Sequence, residues 1–144
     1  MFSKILIANR GEIACRVIST CKRLGIKTVA IYSDIDRASQ HTLMADESYL
    51  IPGEDPNISY LSGHEIITIA KQTNSEAIPP GYGFLSENAD FAKIVEESGI
   101  VFIGPSSDAI ATMGLKDRAK SLMEKVGVPV VPGYHAKEQN NLEE

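Results

Sequence analysis

Tryptophan is absent from the 144 residues, cysteine occurs twice, and aromatic side chains make up only 6% of the chain. No disulfide framework is available, and at this length none is needed. A chain of this size buries about two thirds of the surface that its unfolded form exposes. Cys15 and Cys21 fall six residues apart in a stretch that reads as one helix, so their side chains point about 240° apart and cannot be bridged. They read as reduced packing residues, which makes the expected compartment cytoplasmic. A basic excess is missing too. Lys and Arg number 14 against 19 Asp and Glu, for a formal charge of −5, which excludes a general affinity for nucleic-acid backbones. No apolar run reaches the roughly 18 residues that span a bilayer. Strand-like sequence from Ile5 leaves no room for a signal or transit segment. What is present, with 43% hydrophobic and 23% charged residues, is the profile of one ordinary globular domain.

Short apolar runs alternate with helical stripes. Lys4 to Ala8 reads as a strand, and residues 12–24 as a helix with Ile13, Val17, Cys21 and Leu24 on one side and Gly25 as its stop. Lys27 to Tyr32 is a second strand, rich in the β-branched residues of a sheet buried on both faces. Ser33 to Gln40 is polar connection, and Glu47 to Ile51 a shorter strand. A helix over 62–73 has Ser59 or Ser62 as its cap, and Ser75 to Ile78 is a brief strand. A helix from Ser86 to Ser98 turns Phe91, Ile94 and Val95 inward, followed by a strand at Val101 to Ile103. Ser107 or Asp108 caps a short helix through Met113, and a longer helix over 117–127 buries Ala119, Leu122, Met123 and Val126. Val128 to Gly133 is an extended exit segment, and the residues from Ala136 on are polar. This alternation predicts an α/β fold: a three-layer, doubly wound, mostly parallel sheet with helices on both faces. Ligands of such folds sit beyond the carboxyl ends of the strands.

That rule collects four loops. Asn9-Arg10-Gly11-Glu12 is either a structural turn or a site contribution from Asn9 or Arg10. It lacks the further glycines of a dinucleotide cradle. Asp34 and Asp36 sit where a ribose-binding acid would, but without that cradle they read as caps or solvated loop residues. His41, His64 and His135 have no spacing that gathers them into a metal site, so none is expected. The most unusual segment is Pro80-Gly81-Tyr82-Gly83-Phe84-Leu85-Ser86-Glu87-Asn88. Its glycines let backbone approach another surface, Tyr82 offers a flat face with a hydroxyl, and the N–H groups opening a helix at Ser86 to Asn88 favour a polar or anionic ligand. The alternative is a buried aromatic turn. Lys116 stands between two helices, as a phosphate contact or as a solvated charge. No nucleophile with its base and no Gly-Lys-Ser/Thr phosphate loop is present.

At these loops the sequence resembles the N-terminal domain of biotin carboxylase, the region that opens the biotin-dependent acyl-CoA and pyruvate carboxylases. The resemblance rests on Ile5 to Ala14, Ala45-Asp46-Glu47, Pro80 to Asn88, Phe102-Ile103-Gly104-Pro105 and Gly127-Val128-Pro129, in the family's order and spacing. Ala14-Cys15-Arg16, Met113 to Lys116 and Pro132 to His135 look most like the 3-methylcrotonyl-CoA carboxylase α type.

The resemblance implies a Rossmann-like, pre-ATP-grasp domain over residues 1–134 and a polar tail, 135–144, leading to an ATP-grasp domain that lies beyond this chain. It implies an ATP-dependent ligase in the full-length parent. Bicarbonate is activated by ATP as carboxyphosphate, and CO2 passes to a ureido nitrogen of biotin on a carrier domain. A carboxyltransferase subunit then chooses the acceptor. Lys116 matches the family's nucleotide-contacting lysine, Tyr82 and Gly83 match residues facing the biotin ring, and Arg16 matches a homodimer contact. Catalytic residues and magnesium ligands belong to the ATP-grasp domain, so the isolated chain is expected to be inactive. One departure is Pro79, where the family places His. It removes a donor and fixes its own φ, so the loop geometry is expected to differ slightly. Two rival readings remain: the leading domain of another ATP-grasp ligase, against which the Tyr82 loop argues, and a non-enzymatic flavodoxin-like binding module.

Overall fold

The computed structural model describes residues 1–52 and 55–132, with backbone alone at residues 56 and 57. Five strands, β1 (Lys4–Ile7), β2 (Lys27–Tyr32), β3 (Glu47–Leu50), β4 (Ala77–Ile78) and β5 (Val101–Phe102), form one sheet in the order β3-β2-β1-β4-β5. Every pairing is parallel, with Ile5 beside Thr28 on one flank and beside Ala77 on the other. Parallel neighbours need crossovers, which the helices supply: α1 (Gly11–Leu24), α2 (Gln40–Met44), α3 (Pro56–Ser59), α4 (Gly63–Gln72) and α5 (Ala89–Glu97). α6 (Ser107–Met113) and α7 (Lys116–Lys125) follow the last strand.

The period-two alternation of β1 explains the three layers. Ile5 and Ile7 face α1, where they pack with Ala14, Ile18, Cys21 and Ala77. Leu6 faces the other way, into a larger core with Val29, Ile31, Ile66, Ile78, Phe91 and Phe102. A strand buried on both faces must be apolar throughout, and β1 is. Gly25 ends α1 in the left-handed conformation, φ 72°, with its N–H on the carbonyls of the last turn. Cys21 is buried, Cys15 half-buried, and both are free thiols. Burial pushes both thiols up.

Several expected boundaries move. The polar connection after β2 holds a 3-10 turn at Asp34–Asp36 and then α2. α5 begins at Ala89, not Ser86, because Asn88 accepts from the Phe91 N–H and sets the start there. α6 is capped by Ser106 rather than by Ser107 or Asp108. The Ser62 hydroxyl bonds back to the Ile58 carbonyl instead of capping α4. The largest difference is α7, which contains no buried residue: Leu122 is 38% exposed and Val126 63%. An amphipathic pattern fixes which face would be covered, but burial needs a neighbour, and the described residues supply none there. Gly133 to Glu144 lie outside the described residues, and with them His135, the boundary expected at 134 and the polar tail.

Candidate functional site

Strand order reverses between β1 and β4, so their carboxyl ends form the crevice where such sheets bind ligands. The loops after the two strands are tied together there. The Ala8 N–H donates to the Pro79 carbonyl at 3.1 Å. Asn9, only 3% exposed, donates from Nδ2 to the Pro80 carbonyl and to the Tyr82 carbonyl, each at 2.8 Å, while its Oδ1 accepts from the Arg10 N–H. Pro79 takes part through its carbonyl, which is why proline serves at this junction.

Between the two bonded carbonyls stands Gly81 at φ +70°. A Cβ there would lie 2.8 Å from Asn9 Nδ2 and 3.2 Å from Ile13 Cγ1. Gly83, at φ +67°, is different: a Cβ would meet nothing within 4 Å. Phe84 continues the left-handed run at φ 43°, a conformation that costs a bulky residue about 1–3 kcal/mol and persists only when its surroundings hold it. Here its ring packs 5.2 Å from that of Tyr60. Tyr82 is 59% exposed and so is not the buried aromatic turn. Its hydroxyl donates to Glu12 at 3.1 Å, which raises the phenol above its ordinary value. Glu12 also faces Arg16, at 3.6 Å and 71% exposed on α1. The anion-favouring N–H row expected at Ser86 to Asn88 is altered, because the Ser86 and Asn88 N–H groups bond within the loop to Gly83 and Leu85.

Arg10 does not reach into the crevice. Its guanidinium grips Asp36 with two of its three nitrogens, Nε at 2.6 Å and Nη2 at 2.5 Å. Asp36 is not a solvated loop residue: it is 2% exposed and also accepts from the hydroxyls of Tyr60, Ser39 and Ser33. Arg10 holds that carboxyl well below the usual range, and Asp36 in turn raises the guanidinium. Burial and Asp36 push the Tyr60 phenol up. This hub fixes the loop after β1 to the loop after β2. No motif announced Tyr60, and for Asp36 its place after β2 was the only signal.

Lys116, the first residue of α7, is exposed. It follows closely on Gly114, which lines a cavity of about 200 Å³ together with Ser86, Glu87 and Ile110. The depression thus lies between the long loop and α6, two residues short of Lys116 in sequence. A larger open groove of about 1010 Å³ runs along α1 past Phe2, Val17 and Pro79, with Arg16 among its lining. Among the described residues no cluster of His, Cys, Asp or Glu could hold a metal ion, and no helix is long and apolar enough to cross a membrane.

A family model described as biotin carboxylase, N-terminal domain, matches residues 1–110. The chain belongs to this family. The methylcrotonoyl-CoA carboxylase α subunit of Dictyostelium discoideum is 59% identical over 138 residues, covering 96% of this chain and 20% of the relative. Biotin carboxylase 1 of Bacillus subtilis is 53% identical over 133 residues, 92% of this chain and 30% of that one. The crystal structure of the Hydrogenobacter thermophilus 2-oxoglutarate carboxylase biotin carboxylase domain dimer, in complex with MgADP and bicarbonate, superposes with a TM-score of 0.90 at 54% identity, over 93% of this chain and 29% of that one. This biotin carboxylase N-terminal domain therefore spans less than a third of the relatives it matches. Membership also displaces the two rival readings.

Proposed function

We propose that this domain serves the first half-reaction of a biotin-dependent carboxylase, in which ATP and bicarbonate supply CO2 for a ureido nitrogen of biotin on a carrier domain. The observation that carries the reading is the loop at the switch point: Tyr82 exposed, and Gly83 with open space where a side chain would stand. The planar ureido ring of biotin fits against such backbone, because nothing projects from Gly83 to hold it off. Lys116, exposed at the start of α7, is the group of this chain that would meet a nucleotide phosphate, as a point charge. No cluster of carboxylates among the described residues fits magnesium, whose ligands would come from the ATP-grasp domain of the full-length parent.

The remaining roles extend the same reading. Arg16, exposed on α1, contacts a second copy of the chain. Partners are the biotin carrier and a carboxyltransferase, and the acceptor is an acyl-CoA of the 3-methylcrotonyl type, as named for the Dictyostelium relative. The domain comprises residues 1–134, and its compartment is cytoplasmic.

The experiment assays a full-length carboxylase that opens with this chain. Gly83→Val is expected to raise the KM for biotin, and Lys116→Ala the KM for ATP, each about tenfold, as misplaced or lost contacts do. Unchanged values for both would overturn the reading. The 144-residue chain alone is expected to show no bicarbonate-dependent ATP hydrolysis above a Lys116→Ala control, since phosphoryl transfer depends on positioning and charge stabilisation from many groups.

A further inference from the structure

Asn9 is a buried side chain that donates to the backbone on both sides of Gly81. Its carboxamide is fully committed, with two donated bonds to the long loop and one accepted from its own chain neighbour. No other residue type fits this demand. An aspartate would set a carboxylate against two carbonyl oxygens, and a serine hydroxyl has one donor on a shorter stem. The packing is reciprocal, because any side chain at position 81 would displace the carboxamide. The base of Asn9 is itself fixed, since the next residue is pinned to Asp36 on the opposite loop. Above the loop, by contrast, nothing lies within 4 Å of the Cβ position at Gly83. Besides the Ser86 N–H on the Gly83 carbonyl and the Tyr82 hydroxyl on Glu12, this stretch of backbone is held from below by Asn9.

We propose that Asn9 is a positioning residue for the biotin half of the site: its carboxamide holds the Gly81 to Gly83 backbone at the height on which the ring of biotin rests. This rests on the reading that the Tyr82 loop faces biotin, and the experiment separates the two. In the full-length carboxylase, Asn9→Ala is expected to raise the KM for free biotin about tenfold, while the KM for ATP and biotin-independent ATP hydrolysis stay within about twofold. Thr73→Ala removes a buried, bonded hydroxyl at the end of α4, where the chain enters β4 at the amino ends of the strands, and serves as the stability control. It is expected to lower the melting temperature without moving the biotin KM. In the 144-residue chain, amide resonances of Gly81, Tyr82 and Gly83 should shift or split in Asn9→Ala while those of β2 and β3 stay in place. Asn9→Ser serves in both assays should the alanine variant not fold. A biotin KM that rises with Gly83→Val but not with Asn9→Ala, or unmoved loop amides, overturns the positioning role alone. A biotin KM indifferent to Gly83→Val overturns the reading beneath it.

Discussion

The rim at the switch point and the α6–α7 stretch are both candidate ligand surfaces, yet they are made differently. At the rim, three loops are locked by buried polar groups: Asn9 between β1 and β4, and Asp36 between Arg10, Tyr60 and Ser39. On α7, no residue is buried and Lys116 projects from an exposed helix start. The contrast teaches that the fold itself preorganises one half of the site and only presents the other. A shape-reading contact such as the proposed biotin face needs backbone held to a fraction of an ångström. A point charge for a phosphate tolerates a looser mount.

The widest gap between the two regions should appear on removing the hub. Asp36→Ala leaves Arg10 and Tyr60 without their buried acceptor and is expected to cost about 3 kcal/mol by urea denaturation. The guanidinium, with a side chain 37% exposed, regains water and keeps the loss at the low end of that class. A loss under about 1 kcal/mol would make the rim no more built than α7.

A smaller effect follows from acid. His41 is wholly buried, donates from Nε2 to the Ile31 carbonyl, and leaves Nδ1 without a hydrogen-bond partner. Burial holds its pKa below the ordinary 6.5, opposed by the Ile31 carbonyl and by Asp36, with Arg10 adding to the lowering. The unfolded chain therefore takes up a proton first. Stability is fully present above pH 6.5 and is lost as pH falls toward the depressed folded value. Asp36 adds a loss of the same sign at lower pH, below its ordinary value of 3.8. Denaturation curves between pH 7.5 and about 5 should show this slope, and His41→Gln should flatten it. An unchanged slope in that variant would assign the acid sensitivity elsewhere.

The smallest effect belongs to α7. Leu122→Ala should change the stability of this chain by less than about 0.5 kcal/mol, against the 2–5 kcal/mol usual for a buried leucine. A loss above about 1.5 kcal/mol in the melting curve would mean that the helix has cover the described residues do not provide.

What the sequence made legible follows from how local each signal is. β1 and β2 were readable because a strand buried on both faces is apolar throughout, and α1 because Gly25 closes it. The ligand edge was readable from the alternation of strands and helices, whereas the switch point between β1 and β4 needed the folded sheet. Tyr82 and Gly83 were singled out as candidates by loop chemistry, but the reason they stand where they do was not legible. Asn9 and Pro80 are 71 residues apart, and no local pattern links them. The same holds for Asp36, whose position after a strand suggested a cap or a ligand contact, whereas its partners Arg10 and Tyr60 come from two distant elements. The start of α5 was misread because Ser86 is an ordinary cap residue, and only the folded loop shows its N–H engaged with Gly83. α7 was overestimated because periodicity reports a face and says nothing about what covers it.

The mutual fit of Asn9 and Gly81 has a consequence for how this loop can ever be altered. Each occupies the space that change in the other would require, so a single step at either position meets a partner still shaped for the old arrangement. In a thermodynamic cycle, Asn9→Ala and Gly81→Ala together should cost less than the sum of the two alone, by about 1 kcal/mol. Redesign of the loop must therefore move the pair in one stroke. A gradual walk through single replacements passes through chains in which the lip of the crevice has already slipped.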